Sequence, residues 1–409
     1  MINARGRLAL AAGSGARWAS RVTGRGAGAM IGGLVAMTLD KSILRQLGTG
    51  RRTVVVTGTN GKSTTTRMTA AALRTLGAGS SVATNAEGAN MDAGLVAALA
   101  ADRAAALAVL EVDEMHVPHV LDAVDAAVVI FLNLSRDQLD RVGEINVIER
   151  RLRAGLAAHP QAIVVANCDD VLMTSAAYDH TGVVWVAAGG SWAADSVSCP
   201  RSGEVIVRDQ GHWYSTGADF KRPSPQWWFD DEKLYGPDGL ALPMKLALPG
   251  AVNRGNAAQA VAAAVALGAD PSAAVAAVAG VDEVAGRYRT IQVGAHTVRM
   301  LLAKNPAGWQ EALSMVNKDA AGVVIAVNGR VPDGEDLSWL WDVRFEHFEK
   351  TAVVAAGERG TDLAVRLGYA GVEHTLVHDT LAAIASCPPG RVEVVANYTA
   401  FLQLQRRIT

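Results

Sequence analysis

From Arg52 onward the chain alternates short apolar runs with stretches of helical spacing. "RTVVVTG" predicts a strand and "KSTTTRMTAAALRTLG" a helix closed by a glycine cap. "SVATN", "AALAVLEV", "AAVVIFLNL" and "AIVVAN" predict further buried strands. Several of these runs are continuous rather than alternating, which fits a parallel sheet covered on both faces. The expected architecture is α/β, a doubly wound, mostly parallel sheet over roughly residues 48–288. Residues 188–243 break the rhythm with Gly, Pro and Trp and predict a β-hairpin insertion. Two Ala-rich helices follow in "NRGNAAQAVAAAVALGADPSAAVAAVAGV". A second, smaller α/β pattern then occupies residues 289–409, with strands at "TVRMLL", "AGVVIAVN", "KTAVVAAG", "HTLVH" and "VEVVAN".

The first 47 residues follow another pattern, Ala/Gly-rich and basic. Their longest apolar runs, "LALAA" and "AMIGGLVAM", fall far short of the ~20 residues of a membrane span. No clean apolar core with a cleavage site follows the charged start, so a packed or surface-lying helical segment is expected.

Composition narrows the function classes. A chain of 409 residues, half of them apolar, can build two or three cores. A formal net charge of -2 leaves no basic footprint for nucleic acid. Cys168, Cys199 and Cys387 are few, odd and widely spaced, which argues for a reducing compartment such as the cytoplasm.

The chemistry starts at "VVVTGTNGKSTTTRM". Gly58, Thr59, Asn60, Gly61, Lys62, Ser63 and Thr64 form a strand–loop–helix phosphate cradle. Lys62 supplies a point charge to nucleotide phosphates, and Ser63 or Thr64 a hydroxyl to Mg²⁺. In "LAVLEVDEMHVP", Glu111 at a strand end is the carboxylate suited to that hard cation. Asp113 and Glu114 can be ligands or solvated turn carboxylates, and His116 reads as an ordinary histidine. In "NLSRDQLDRVGE", Asn133, Asp137 and Asp140 taken alone read as a helix cap with acids in the first turn.

Together and in this order, "VTGTNGKST", Glu111, "NLSRDQLD", "VVANCDD", "LPGAVNRGN" and "AGRYR" resemble the Mur ligase family along essentially the whole chain. The resemblance implies an ATP-binding central domain and a C-terminal domain that closes over it. It places Asn253 and Asn256 near the adenine, Arg287 near the ribose or phosphates, and Ser63 and Glu111 on Mg²⁺. The implied chemistry is carboxylate activation by ATP, giving an acyl phosphate that an amine attacks.

Departures from the amino-acid-adding members narrow this further. Their carbamylated Lys falls at about Leu152, flanked by Arg151 and Arg153, and Gln138 stands where they carry His. "LLAKNPAGW" replaces the opening of their C-terminal domain. "TNAEGANM", "AKNPAGWQEAL" and "DGEDLSWLWDVRFE" look instead like the family's amidating, ligase-like subunits. That resemblance implies amidation of the α-carboxyl of D-glutamate in the lipid II stem peptide, giving D-isoglutamine. It also implies work at the inner face of the cytoplasmic membrane, with peripheral contact and no membrane-spanning segment. No cysteine lies in a nucleophile elbow, and the resemblance implies that ammonia comes from a GatD-like class I glutaminase partner. By the same resemblance this chain lends that partner an Asp, Asp336 or Asp342, with Asp333 a third candidate. Where relatives insert a zinc ribbon, only Cys199 of the first knuckle remains and Ser202 takes the second position. A zinc-free insertion held by Trp and Tyr packing is expected. The alternatives are a stand-alone amino-acid-adding or folylpolyglutamate ligase, a non-catalytic ATP-binding scaffold, and a kinase.

Overall fold

Val54, Val55 and Val56 are all fully buried, as are Val109, Leu110, Val129 and Ile130 beside them. Consecutive residues of a strand point to opposite faces, so this requires a sheet covered on both sides. The structure is a computed structural model. It describes residues 2–22, 29–77, 81–85, 88–136, 145–190, 192–282, 288–317, 319–346, 348 and 351–408. Contacts divide the chain into two units, Met1–Leu134 with Gly143–Asp282, and Ser135–Val142 with Glu283–Thr409.

The first unit opens with α1 (Ala4–Val22), α2 (Ala29–Leu39) and α3 (Ile43–Gly48). Then come β1 (Arg52–Thr57), α4 (Lys62–Leu73), β2 (Val82–Thr84), α5 (Asp92–Ala101), β3 (Leu107–Glu111), α6 (Val117–Val124) and β4 (Ala126–Phe131). They are followed by α7 (Ile145–Ala157), β5 (Ile163–Asn167), α8 (Val171–Ala177) and β6 (Val183–Val186). The sheet order is β2-β3-β1-β4-β5-β6 and every pairing is parallel. Strand order reverses at β1, so a crevice opens at the carboxyl ends of β1, β3 and β4. α2 lies close against α5: a Cβ on Gly33 would stand 1.9 Å from the carbonyl oxygen of Ala93, so only glycine fits.

Two local details differ from the sequence expectation. α4 runs into a 3-10 turn over Arg74–Leu76, and Gly77 is extended (φ -174°) rather than a left-handed cap. The edge strand β6 carries mostly half-buried residues, so its apolar signal is weak.

The insertion contains an antiparallel pair, β7 (Ile206–Asp209) with β8 (His212–Ser215). A three-stranded antiparallel sheet follows, from β9 (Trp228–Phe229), β10 (Lys233–Tyr235) and β11 (Ala241–Pro243). Cys199, Ile206, Trp213 and Phe220 pack with Val171 and Tyr178 into a small core of their own, and Trp228 stacks on Tyr235. α9 (Ala251–Ala266) and α10 (Pro271–Ala279) complete the unit.

The second unit comprises β12 (Tyr288–Val293), β13 (His296–Leu302), α11 (Pro306–Ser314), β14 (Gly322–Ala326) and β15 (Val353–Ala356). It continues with α12 (Gly360–Tyr369), β16 (His374–Leu376), α13 (Thr380–Ser386), β17 (Gly390–Ala396) and α14 (Tyr398–Ile408). Its sheet order is β12-β13-β17-β14-β15-β16. β12, absent from the expected strands, is the antiparallel edge; the other pairings are parallel. Fully buried Glu393 on β17 faces its register partner Arg299 on β13 at 2.6 Å and also accepts from Arg391 at 2.7 Å. Two guanidinium groups thus compensate that buried carboxylate.

Candidate nucleotide and ligase site

β1 delivers the chain into a loop whose last residue, Gly61, has φ 87° and precedes α4. A Cβ there would stand 2.7 Å from Oδ1 of Asn256, so α9 closes one side of the loop through that carboxamide. Lys62, Ser63 and Thr64 open α4 and are buried. The first turn of α4 holds no acidic residue, so its positive end is not neutralised from within. Lys62 Nζ donates to the carbonyl oxygens of Gly58 and Thr59, the latter at 3.2 Å, and lies 3.1 Å from Glu114 Oε1. Of the two adjacent turn carboxylates, Glu114 therefore faces the cradle. Asp113 accepts from the Met115 amide at 3.1 Å in a local turn.

The strand next to β1 brings Glu111 alongside. Glu111 pairs in register with Val56, one residue before the end of β1. The Asn85 carboxamide clamps it from behind, accepting from the Glu111 amide and donating to its carbonyl, each at 2.8 Å. Glu111 Oε2 is buried with no hydrogen-bond partner among the described residues. A buried carboxylate oxygen is costly unless it meets a donor or a cation, so its setting fits a hard divalent ion beside phosphates. Among the described residues, no group of three or more His, Cys, Asp or Glu gathers into an all-protein metal site. Mg²⁺ ordinarily needs only one or two carboxylates plus phosphate oxygens.

Asn133, two residues past β4, turns its side chain to the cradle; the helix start it was expected to cap lies outside the described residues. Its side chain accepts from the Asn60 amide at 2.9 Å and donates to the Asn60 carbonyl at 3.0 Å. Its own carbonyl accepts from Thr59 at 2.9 Å. The third segment thus braces the cradle from the neighbouring strand. Asp137, Gln138, Asp140 and Arg287 lie outside the described residues. Asn253 donates to the Pro249 carbonyl at 2.6 Å, and Asn256 to Asn253 at 3.4 Å. Leu152 is fully buried in the main core, leaving that position apolar. His116 sits at the N-cap of α6, 3.9 Å from Asp92.

The thiols differ in their surroundings. Burial, reinforced by Asp169, pushes Cys168 up to about 12, and burial raises Cys387. At the insertion's first knuckle, burial pushes the Cys199 thiol up. Hydrogen bonds from Ser202, the backbone of Arg201 and Ser202, and Ser215 outweigh this and hold it below the usual thiol range. Asp170, next to Asp169, caps α8 by accepting from Met173 at 2.8 Å and also accepts from the Leu134 amide at 3.1 Å.

In the second unit the three acidic candidates separate. Asp333 is buried and accepts from the Thr399 amide at 2.8 Å and from the Thr399 hydroxyl. Asp336 is exposed and accepts from Ser338 at 2.8 Å. Asp342 is exposed too, 3.9 Å from Arg136 Nη2. Between them Trp339 is buried on Trp309, whereas Trp341 stays exposed edge-to-face with exposed Tyr369.

Residues 56–264 match the family description "Mur ligase middle domain", and residues 302–401 match "MurT ligase C-terminal". The chain is similar to the lipid II isoglutaminyl synthase (glutamine-hydrolyzing) subunit MurT of Streptococcus pneumoniae. That similarity is 27% identity, over 99% of this chain and 97% of that one. It is 28% identical to the same subunit of Staphylococcus aureus strain COL, over 96% and 95% of the two chains. Among solved structures, a pseudomurein peptide ligase type C from Methanothermus fervidus superposes with a TM-score of 0.69 at 17% identity, covering 90% of this chain and 81% of that one. MurF from Acinetobacter baumannii gives 0.66 at 18%, covering 91% and 80%. At these identities the structures establish a shared fold.

Proposed function

The chain belongs to the Mur ligase family, and from that premise we propose that it is the ligase-like subunit of a lipid II isoglutaminyl synthase. On this reading it amidates the α-carboxyl of D-glutamate in the stem peptide with ammonia made by a GatD-like glutaminase. The observation that carries it is the cradle itself: Lys62 and Ser63 open α4 directly after the β1 loop, and Glu111, with a buried, unpartnered carboxylate oxygen, ends the strand beside β1. A scaffold that only held a complex together would need none of them. The similarity to MurT subunits along nearly the whole chain supports the choice of reaction.

In this mechanism the loop amides and the α4 N-terminus hold the phosphates of ATP, and Lys62 neutralises charge on the group in flight. Ser63 and Glu111 would hold Mg²⁺, which supplies further charge neutralisation at the phosphates. The γ-phosphoryl group passes to the substrate carboxylate oxygen, making an acyl phosphate and ADP. Ammonia attacks the acyl carbon, phosphate leaves with the C–O bonding pair, and the nitrogen loses a proton to give the amide. Ammonia requires no pocket for an amino-acid nucleophile.

The glutaminase role falls to a partner because none of Cys168, Cys199 and Cys387 lies in the G-x-C-x-G context of a nucleophile elbow. The 331–346 segment is our candidate for the partner's surface. It exposes Trp341 beside Tyr369 and displays Asp336 and Asp342, and exposed aromatic pairs are favoured anchors at interfaces. The test is to supply the chain with ATP, lipid II and an ammonium salt, and separately with glutamine. Amidation from ammonium alone is expected, with Lys62→Ala reducing it at least ~100-fold. Wild-type turnover by that variant would sink the assignment.

A further inference from the structure

α1 is two-faced in an unusual way. Gly6, Ala9, Leu10, Gly13 and Ser20 are buried, at the three- and four-residue spacing of one helix face. The opposite face is apolar as well: Leu8, Trp18 and Val22 share it, and Leu8 and Trp18 are 72% and 69% exposed. α2 repeats the arrangement. Gly32, Gly33 and Ala36 are buried, while Met30, Ile31 and Leu34 point outward, Leu34 with 61% exposure. Large apolar side chains of a soluble surface are normally scattered, and a group gathered on two packed helices marks a binding surface.

Charge identifies the occupant. The first 39 residues contain five arginines and no acidic residue, in a chain whose net charge is -2. Arg5 and Arg7 are exposed on α1 next to the apolar stripe. No described helix is long and apolar enough to cross a membrane. A 19-residue α1 lying flat would instead offer about 28 Å of amphipathic contact. Apolar residues including a Trp, with exposed Arg5 and Arg7 beside them, match an anionic lipid surface. The side chains enter the acyl boundary, Trp18 sits at headgroup depth and the guanidinium groups meet lipid phosphates.

We propose that the α1–α2 hairpin docks this protein on the surface of an anionic lipid bilayer through Leu8, Trp18, Val22, Met30, Ile31 and Leu34. The bilayer as workplace rests on the reading above, in which the substrate is lipid-borne; the surface itself rests on the two helices. The experiment is flotation of the full chain with vesicles of phosphatidylglycerol and phosphatidylcholine, or of phosphatidylcholine alone, at 0.1 M salt. Expected is at least tenfold stronger binding to the anionic vesicles, weakened at 0.5 M salt. A Trp18→Ser/Leu34→Ser double variant should lose at least tenfold of that binding with its Tm unchanged within 2 °C, and Arg7→Glu should lose several-fold. Absence of binding, or equal binding by the double variant, overturns the proposal. So does a wild-type dimer in sedimentation that the same substitutions dissolve, since the patch would then belong to a second copy. Lys62→Ala should float like wild type, so failure of the amidation reading and failure of docking show up in different assays.

Discussion

The ammonium of Lys62 stands 3.1 Å from the carboxylate of Glu114, and both side chains are nearly buried. Glu114 and the carbonyls of Gly58 and Thr59 together occupy the positive charge that phosphates would otherwise engage. Nucleotide binding then exchanges one set of anionic partners for another. Glu114→Gln keeps the shape and removes the competing charge. Losing the pair should cost on the order of 2 kcal/mol, lowering the Tm without nucleotide by several degrees. Saturating Mg-ATP should raise the variant's Tm by more than it raises the wild type's, because phosphate now supplies the missing partner. Thermal unfolding with and without ATP reads this directly; an equal or smaller nucleotide shift would show that Glu114 does not compete.

Asn133 gives a second handle on the cradle. Its two amide hydrogen bonds to Asn60 tie the loop to the end of β4. Asn133→Ala removes both and keeps the backbone bond from Thr59. The expected cost is about 2 kcal/mol of stability, at roughly 1 kcal/mol per bond. KM for ATP should rise about tenfold, with kcat less affected, because disordering the loop lowers ground-state binding. Asn133→Asp keeps the acceptor and loses the donor, so it should fall between. Steady-state kinetics on the three proteins decides, and an unchanged KM would mean the loop holds its shape alone.

These two residues mark where the sequence was and was not legible. β1, its loop and α4 form one contiguous pattern, readable because strand, phosphate loop and helix start adjoin within about 20 residues. Glu111 was readable because strand ends of parallel sheets collect ligands. Glu114 was not separable from Asp113, since both are turn carboxylates and only the path after β3 aims one at Lys62. Asn133 read as a cap because its partner, Asn60, is 73 residues away, beyond any local rule. Asn85 escaped notice as a site residue for the same reason, its partner Glu111 being 26 residues distant. β6 and β12 are edge strands with mixed exposure, whose patterning is too weak to announce them. The close approach of α2 to α5 at Gly33 left no periodic trace at all.

The three acidic residues of the 333–342 stretch should answer differently to one substitution. Asp333 is tied to Thr399 inside the second unit. Asp333→Asn should therefore lower Tm, at a cost of about 1–3 kcal/mol, and reduce ammonia- and glutamine-dependent turnover together. Asp336 and Asp342 are exposed, and Asn at 336 can still accept from Ser338. One of Asp336→Asn and Asp342→Asn should lose glutamine-dependent amidation with the partner present and keep ammonia-dependent amidation. If both retain glutamine-dependent turnover, this chain does not complete the partner's triad.

Asp170 gives the first unit a signature in pH. Burial pushes its carboxyl up to about 6 from the ordinary 3.8, against the pull of the amides of Met173 and Leu134. Between those values the folded chain keeps a proton that the unfolded chain has released. The group's contribution to stability is therefore complete below about pH 3.8 and is lost as pH rises through 6. The interval corresponds to roughly 3 kcal/mol at 1.36 kcal/mol per pH unit. Asp170→Asn removes the titration and keeps an acceptor for the Met173 amide, since Asn is also a good N-cap. The wild type's stability relative to this variant should thus be greatest near pH 4 and shrink by pH 7. Denaturant unfolding of both proteins at pH 4.5 and pH 7.5 measures the change, and a difference independent of pH would mean that Asp170 is charged in the folded chain throughout.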